Sequence, residues 1–299
     1  MLSILIPVYN IDCSILVDDL LSQLPDELTY EIICIDDAST LSFTNSSKFI
    51  NHPRVSHFKQ EVNLGRSSIR NLLVEKSNYD WLLFLDVDTL PVKSDFIQKY
   101  IDSTIIYPET KVFYGGINYR ANDLNASNQL RYKFGLNRES ISVEKRSKTP
   151  YLSLLMSNTF IHKSVFDKIQ FNPLIKKYGH EDAVFSNDLC KKEVAVKHIE
   201  NPIYHTGVEP NTVFLNKTKI AVENLLHLHQ LGILDPQINK LLLFFFKIKP
   251  YKVTAILASV YAKFGNYFEN KLNNKNPSLF LFDFCRLSYL SYLYHQKKQ

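Results

Sequence analysis

Through the first 120 residues, short apolar runs alternate with stretches whose apolar positions recur at helical spacing. Leu2–Val8 reads as a strand, Ser14–Leu24 as a helix and Tyr30–Asp36 as a second strand. A looser helical stretch near Ser42–Ile50 precedes a short strand at Val55–Lys59. Gly65–Lys76 is helical and Trp81–Asp86 is the next strand. Ser94 is placed to cap a helix running to about Ile106, and Lys111–Tyr119 reads as a further strand. The Trp81-Leu82-Leu83-Phe84-Leu85 run is apolar on both faces, as in a strand covered on both sides. Alternation of this kind predicts an α/β fold with a mostly parallel sheet flanked by helices.

The pattern weakens from about residue 120. Residues 137–150 are dense in charge and end in Thr149-Pro150, which predicts a mobile loop. A second unit follows, with a strand near Thr159–His162, a helix from Glu181 to Lys191, a strand at Val194–Ile199 and a helix from Pro210 to about Leu231. Beyond Pro236 the chain is helical and aromatic. The expected organisation is therefore one domain over 1–235, in halves 1–120 and 121–235, with a C-terminal helical extension at 236–299.

At 45% hydrophobic and 22% charged residues, the 299-residue chain can bury a large core, which excludes a globally disordered protein. Cys13, Cys34, Cys190 and Cys285 are far apart, so neither a disulfide framework nor a cysteine-type metal site is expected. The chain enters a strand at once, without a basic start and cleavage site, which argues against secretion. No uncharged apolar stretch has the ~18–20 residues of a membrane span. The expected location is the cytoplasm. The net charge of +5 is uneven: residues 236–299 hold nine Lys and one Arg against one Glu and one Asp.

The chemistry-bearing residues sit where the apolar runs end. Asp86-Val87-Asp88 closes the fourth strand with two hard oxygen donors, which suit Mg²⁺ or Mn²⁺ and, through the metal, a phosphate. Taken alone, this is better read as a strand running into an acidic turn. Pro7-Val8-Tyr9-Asn10 closes the first strand with an aromatic ring that can stack on a base. Asp36-Asp37-Ala38-Ser39 closes the second, either as acceptors for a base or ribose or as a helix cap. Asn63-Leu64-Gly65-Arg66 with Arg70-Asn71 opens a helix with glycine and two arginines, a combination that favours phosphate. It is neither a Walker A loop nor a dinucleotide fingerprint. Glu181-Asp182 lies at a helix start, where a carboxylate serves as a cap or as a positioned base. His205 follows a short strand and is either structural or a metal ligand.

In this order the segments resemble the inverting glycosyltransferases of family 2, over roughly residues 1–230. The resemblance implies the GT-A fold, with a nucleotide-binding half at 1–120 and an acceptor half at 121–235. It also implies roles residue by residue. Pro7, Tyr9, Asn10 and Asp37 hold the base and ribose of a nucleotide-sugar, with Gly65 and Arg66 beside the nucleotide. Asp86 faces the ribose or a metal-bound water. Asp88 ligates Mn²⁺ or Mg²⁺ across the two phosphates, and His205 is a further ligand or phosphate contact. Asp182 is the general base and Glu181 its neighbour. Ser157 and Asn158 line the donor-sugar and acceptor pocket. Ala38 stands where the family usually has glycine, and Ile69 where it usually has a small residue. The Gln-x-x-Arg-Trp motif of processive synthases is missing. The single tryptophan, Trp81, lies in a strand, which leaves Tyr178 to supply packing or sugar stacking near the acidic pair.

The partners so implied are a nucleotide-sugar, with a UDP-sugar first, and a glycan or lipid-linked saccharide acceptor. Asp86-Val87-Asp88-Thr89 also matches the first motif of haloacid-dehalogenase-type phosphatases, and a catalytically inactive nucleotide- or glycan-binding module is the third reading. The tail at 236–299 either packs as helices on the rest of the chain or a partner, or attaches peripherally to the inner face of the cell membrane. Its lysines lie among core-like apolar residues, which argues against nucleic acid.

Overall fold

The computed structural model describes residues 1–25, 27–41 and 52–296; the helical stretch expected near Ser42–Ile50 lies outside them. The chain opens with β1 (Leu2–Val8), α1 (Ser14–Gln23), β2 (Tyr30–Asp36) and β3 (Val55–Lys59). Then come α2 (Arg66–Lys76), β4 (Trp81–Leu85), β5 (Thr89–Pro91) and α3 (Phe96–Ile106). β6 (Val112–Tyr114), β7 (Ile117–Asn118), α4 (Gln129–Phe134), α5 (Val143–Ser147) and β8 (Asn158–His162) follow. The rest is α6 (Glu181–Lys191), β9 (Val196–His198), β10 (Ile203–His205), α7 (Asn211–Gln230), α8 (Lys240–Ile248), α9 (Val253–Leu272) and α10 (Leu279–Gln296).

Contacts divide the chain into two units. The first comprises Met1–Arg120, Glu139–Lys176 and Phe185–Gly207, and the second Ala121–Arg138, Lys177–Val184 and Val208–Gln299.

The first unit is built on a seven-stranded sheet in the order β3-β2-β1-β4-β8-β6-β9. The first four strands in that order are parallel, with Leu5 level with both Ile33 and Phe84. The buried apolar residues of β1, β2 and β4 come from both faces, as expected of strands covered on both sides. Phe84 packs among Phe166 and Phe171, and Phe171 stacks on Phe185 at 4.3 Å. Trp81 stacks on Phe160 of β8 at 4.6 Å, so the lone tryptophan is a packing residue. β8 runs antiparallel between β4 and β6. It therefore belongs to the first sheet rather than to a later unit, because its Thr-Phe-Ile run fills the slot beside β4.

Three local expectations are corrected. Lys111–Tyr119 is two short strands, because Gly116 has φ +97° and any Cβ at Gly115 would overlap Asn201, Asn158 and Tyr100. Residues 137–150 are not an irregular loop: a π-turn at Gly135–Glu139 and α5 lead to a 3₁₀ turn at Pro150–Ser153. Their charge density misled because Arg146 turns inward, where its Nη2 donates to the carbonyls of Gly115 (3.0 Å) and Ile199. α3 is preceded by Asp95 rather than capped by Ser94.

The second unit is helical. Phe214 of α7 stacks on Phe282 of α10, with Leu130 and Leu272 buried beside them. Tyr261 and Tyr289 pack at 4.9 Å, and Lys219 pairs with Glu269 at 2.8 Å. The tail helices thus share a core with α7. No helix among the described residues is long and apolar enough to cross a membrane, and all four cysteines are free.

Candidate functional site

In the first unit, the carboxyl ends of β1, β2 and β4 carry the polar loops. Pro7 lies beyond the last rung that β1 shares with β4, where one side of the ladder has ended. Tyr9 follows with its ring exposed. Asn10, at φ +54°, accepts from the Thr40 (2.8 Å) and Leu41 (3.2 Å) amides through Oδ1, and its own amide donates to Ser39 Oγ at 2.7 Å. The two loops are thereby stitched together. Asp36 accepts from the Ser39 amide at 2.7 Å, and Ala38 between them sits at φ +61°. That left-handed turn explains why a glycine suits the position.

Asp37 braces the next loop. Its two oxygens accept from the Leu64 amide at 2.6 Å and the Gly65 amide at 3.0 Å, while its carbonyl accepts from Asn63 Nδ2. Burial raises its pKa against those two hydrogen bonds. Gly65, at φ +81°, then starts α2. The carboxylate acts first on the protein's own backbone, and the loop it holds presents Arg66.

The Asp86-Val87-Asp88 turn is positioned from two sides. Arg70, buried in α2, donates through Nη2 to Asp86 Oδ1 at 3.0 Å, and Asp86 itself keeps about a third of its side chain exposed. Burial pushes the Asp86 pKa up, but Arg70, Arg66 and His205 outweigh it and hold the carboxyl below its usual range. Thr89 Oγ1 donates to the Asp86 carbonyl at 2.7 Å. On the other side, the small sheet β5-β10-β7 sets His205 level with Thr89. Thr206 then donates its amide (2.8 Å) and hydroxyl (2.9 Å) to the Asp88 carbonyl. The outcome is His205 Nε2 at 3.5 Å from Asp88 Oδ2. The Tyr119 ring lies nearly parallel to His205 at 5.6 Å, and its hydroxyl donates to Glu139. At Gly207, a Cβ would overlap the Asp88 carboxylate and come within 2.8 Å of its Cβ.

Asp88 and His205 fit a shared divalent cation. Both are partly exposed, and their facing atoms, Nε2 and Oδ2, are ligand-type donors. No cluster of three ligating side chains exists among the described residues. Two protein ligands suit a magnesium-like ion that takes the rest of its shell from water and substrate phosphates.

Asn158 was expected to line a pocket and does not. It is 0% exposed, its Nδ2 donates to the Gly116 and Asn201 carbonyls at 2.8 Å, and its Oδ1 accepts from Tyr100 at 2.6 Å. It clamps the loops between β6, β8 and β10, and Ser157 before it is also buried. Asn71 likewise braces backbone, exchanging two hydrogen bonds with Phe171.

In the second unit, Glu181 and Asp182 open α6, with Glu181 buried and Asp182 partly exposed. The turn before them is left-handed at two consecutive residues, Gly179 (φ +93°) and His180 (φ +76°). It is pinned to α7: Asn224 Nδ2 donates to the Gly179 carbonyl at 2.9 Å, and His180 Nε2 donates to the Ala221 carbonyl at 2.8 Å. Burial lowers the His180 pKa against the hydrogen bond to Ala221. Tyr178 lies beneath Lys217 at 5.6 Å. Of Gly179 and His180, only His180 carries a Cβ at positive φ, so the backbone strain of this turn sits there.

Arg70, read with Arg66 as favouring phosphate, instead donates from a buried position to Asp86, and Tyr119, Thr206 and Gly207 had no role assigned from sequence. Arg70 was visible within Arg70-Asn71, whereas the other three depend on the register of a sheet whose strands are two or three residues long.

The sequence model described as Glycosyl transferase family 2 matches residues 3–169. A protein of Haemophilus influenzae described as an uncharacterized glycosyltransferase is 31% identical over 202 residues, 65% of this chain and 73% of that one. Among solved structures, a mannosyltransferase from Pyrobaculum calidifontis in complex with GDP-Man and Mn²⁺ superposes with a TM-score of 0.59 at 12% identity, covering 100% of this chain and 88% of that one. S. aureus TarS 1–349 in complex with UDP-GlcNAc gives 0.54 at 15% identity, covering 100% and 92%. At these identities the likeness shows a shared fold, the GT-A type.

Proposed function

Because the chain belongs to glycosyl transferase family 2, we propose that it is an inverting transferase that moves a sugar from a nucleoside-diphosphate donor to an acceptor hydroxyl. The observation that carries this reading is the Asp88–His205 pair beside the Arg70–Asp86 pair at the end of β4. Family membership sets aside the phosphatase reading of the same Asp-x-Asp.

Asp88 and His205 would hold Mn²⁺ or Mg²⁺. That ion, when bound, neutralises charge on the leaving diphosphate. Arg70 fixes the direction of Asp86 toward the ribose. Tyr9 offers its exposed ring to the base, and the loop braced by Asp37 carries Arg66 beside the nucleotide. Asp182 accepts the proton that the acceptor hydroxyl loses as its oxygen attacks the anomeric carbon, and Glu181 steadies that turn. The displacement is in line, so an α-linked donor yields a β-linkage. UDP-sugars are the first donors to try. The GDP-Man and UDP-GlcNAc bound by the two structural relatives widen the panel. A glycan or lipid-linked saccharide is the proposed acceptor.

The test is Asp182→Asn. It should keep donor affinity while transfer falls by about 10²–10⁴-fold. Near-normal turnover would remove Asp182 from the reaction.

A further inference from the structure

We infer that the outward faces of α8 and α9 rest on an anionic lipid surface, lying in the plane of the headgroups. The inference concerns the second unit alone and does not depend on the reaction proposed above.

Each helix has two sides. In α8, Leu242 and Phe245 are buried, while Lys240, Leu243, Phe244 and Lys247 are exposed at helical spacing, an apolar pair bracketed by lysines. In α9, Thr254, Leu257 and Ala258 are buried. Its outer stripe runs through Val253, Ile256, Phe264 and Tyr267 to Lys271, with Ile256 64% and Tyr267 57% exposed. Tyr251 stands exposed in the turn that joins the two helices. Isolated exposed apolar residues are ordinary, but a stripe along a 20-residue helix is not.

Charge identifies what covers this face. Lys240 and Lys247 are exposed on α8, and Lys252, Lys263, Lys271 and Lys275 along α9 or at its ends; none of them forms an ion pair among the described residues. Lys263 and Lys271 lie over Phe264 and Tyr267, at 5.4 and 5.7 Å. The tail's two carboxylates are committed elsewhere, Glu269 to Lys219 and Asp283 to Arg138 and Arg286. A second copy of this chain meeting the face symmetrically would set lysine against lysine. A nucleic acid would satisfy the lysines and leave Val253, Ile256 and Leu243 in water. A bilayer surface takes both parts: phosphates meet the ammonium groups, and the aliphatic and aromatic side chains enter the interface.

The test is flotation of the full chain with vesicles of phosphatidylcholine, with and without 30% phosphatidylglycerol, in 0.1 M salt. Binding is expected only to the anionic vesicles. Lys263→Gln with Lys271→Gln should weaken it about fivefold per lysine. Ile256→Asp with Tyr267→Asp should weaken it at least tenfold, with the circular dichroism spectrum unchanged. If that pair unfolds the protein, the lysine pair decides by itself. Three results would overturn the inference: no flotation with anionic vesicles, binding untouched by either pair, or a dimer seen by light scattering that Ile256→Asp dissociates. Retention on a DNA oligonucleotide that is indifferent to Ile256 and Tyr267, without vesicle binding, would assign the lysines to nucleic acid.

Discussion

His205 Nε2 stands 3.5 Å from Asp88 Oδ2, and the spacing is a consequence of strand register rather than of chain proximity. β10 pairs with β5 so that His205 is level with Thr89, one residue past Asp88. Removing the imidazole should therefore disturb a ligand set and not a core. His205→Ala is expected to lower Mn²⁺ affinity in the presence of UDP by about tenfold or more. Titration of Mn²⁺ followed by electron paramagnetic resonance checks it, and unchanged affinity would take His205 out of the site.

The Arg70–Asp86 pair at 3.0 Å makes a pH-dependent prediction. The lowered Asp86 pKa means the folded protein favours the ionised carboxylate. Its contribution is complete above the ordinary Asp value of about 4 and is lost as pH falls through the lower folded value. Arg70→Met should cost about 2 kcal/mol at pH 7, less than for a fully buried pair because Asp86 keeps some solvent. The difference from wild type in urea melts should shrink between about pH 5 and pH 2. A difference that is flat across that range would contradict the assignment.

Gly207→Ala isolates the geometry of the Asp88 carboxylate. The added methyl has no room beside the Asp88 carboxylate or its Cβ, so the side chain and the turn that carries it must both shift. Donor affinity with Mn²⁺ should fall at least tenfold while the melting temperature moves by only a few degrees. Equal affinity would show that Asp88 can move without consequence.

Ala38→Gly acts in the opposite direction. Ala38 holds φ +61° in the Asp36–Ser39 turn, a conformation that costs a Cβ-bearing residue about 1–2 kcal/mol. Glycine should recover about 1 kcal/mol of it, after the entropy it loses on folding. Chemical denaturation measures this, and a destabilised variant would mean that the turn needs its methyl.

What was legible in the sequence follows from period and punctuation. β1, β2 and β4 declare themselves as apolar runs ending in polar residues, and the Asp86–Asp88 turn was found because its strand is buried on both faces. Less legible were features set by partners distant in the chain. Asn158 reads as a polar residue at a strand start, yet its amide is spent on Gly116, Asn201 and Tyr100. Arg146 sits in a charged stretch that reads as a loop, yet it holds two carbonyls from inside the core. β5, β7 and β10 are too short to show a period, so the sheet that brings His205 to Asp88 leaves no trace in hydropathy.

The most direct measurement is titration calorimetry of wild type and Asp88→Ala against UDP- and GDP-sugars, with Mn²⁺ and with chelator. The proposal expects at least one donor to bind wild type in the metal's presence, and that binding to be lost on chelation and in Asp88→Ala. A folded wild type that binds no nucleotide-sugar with Mn²⁺ present, or one whose binding ignores both the metal and Asp88, would contradict it.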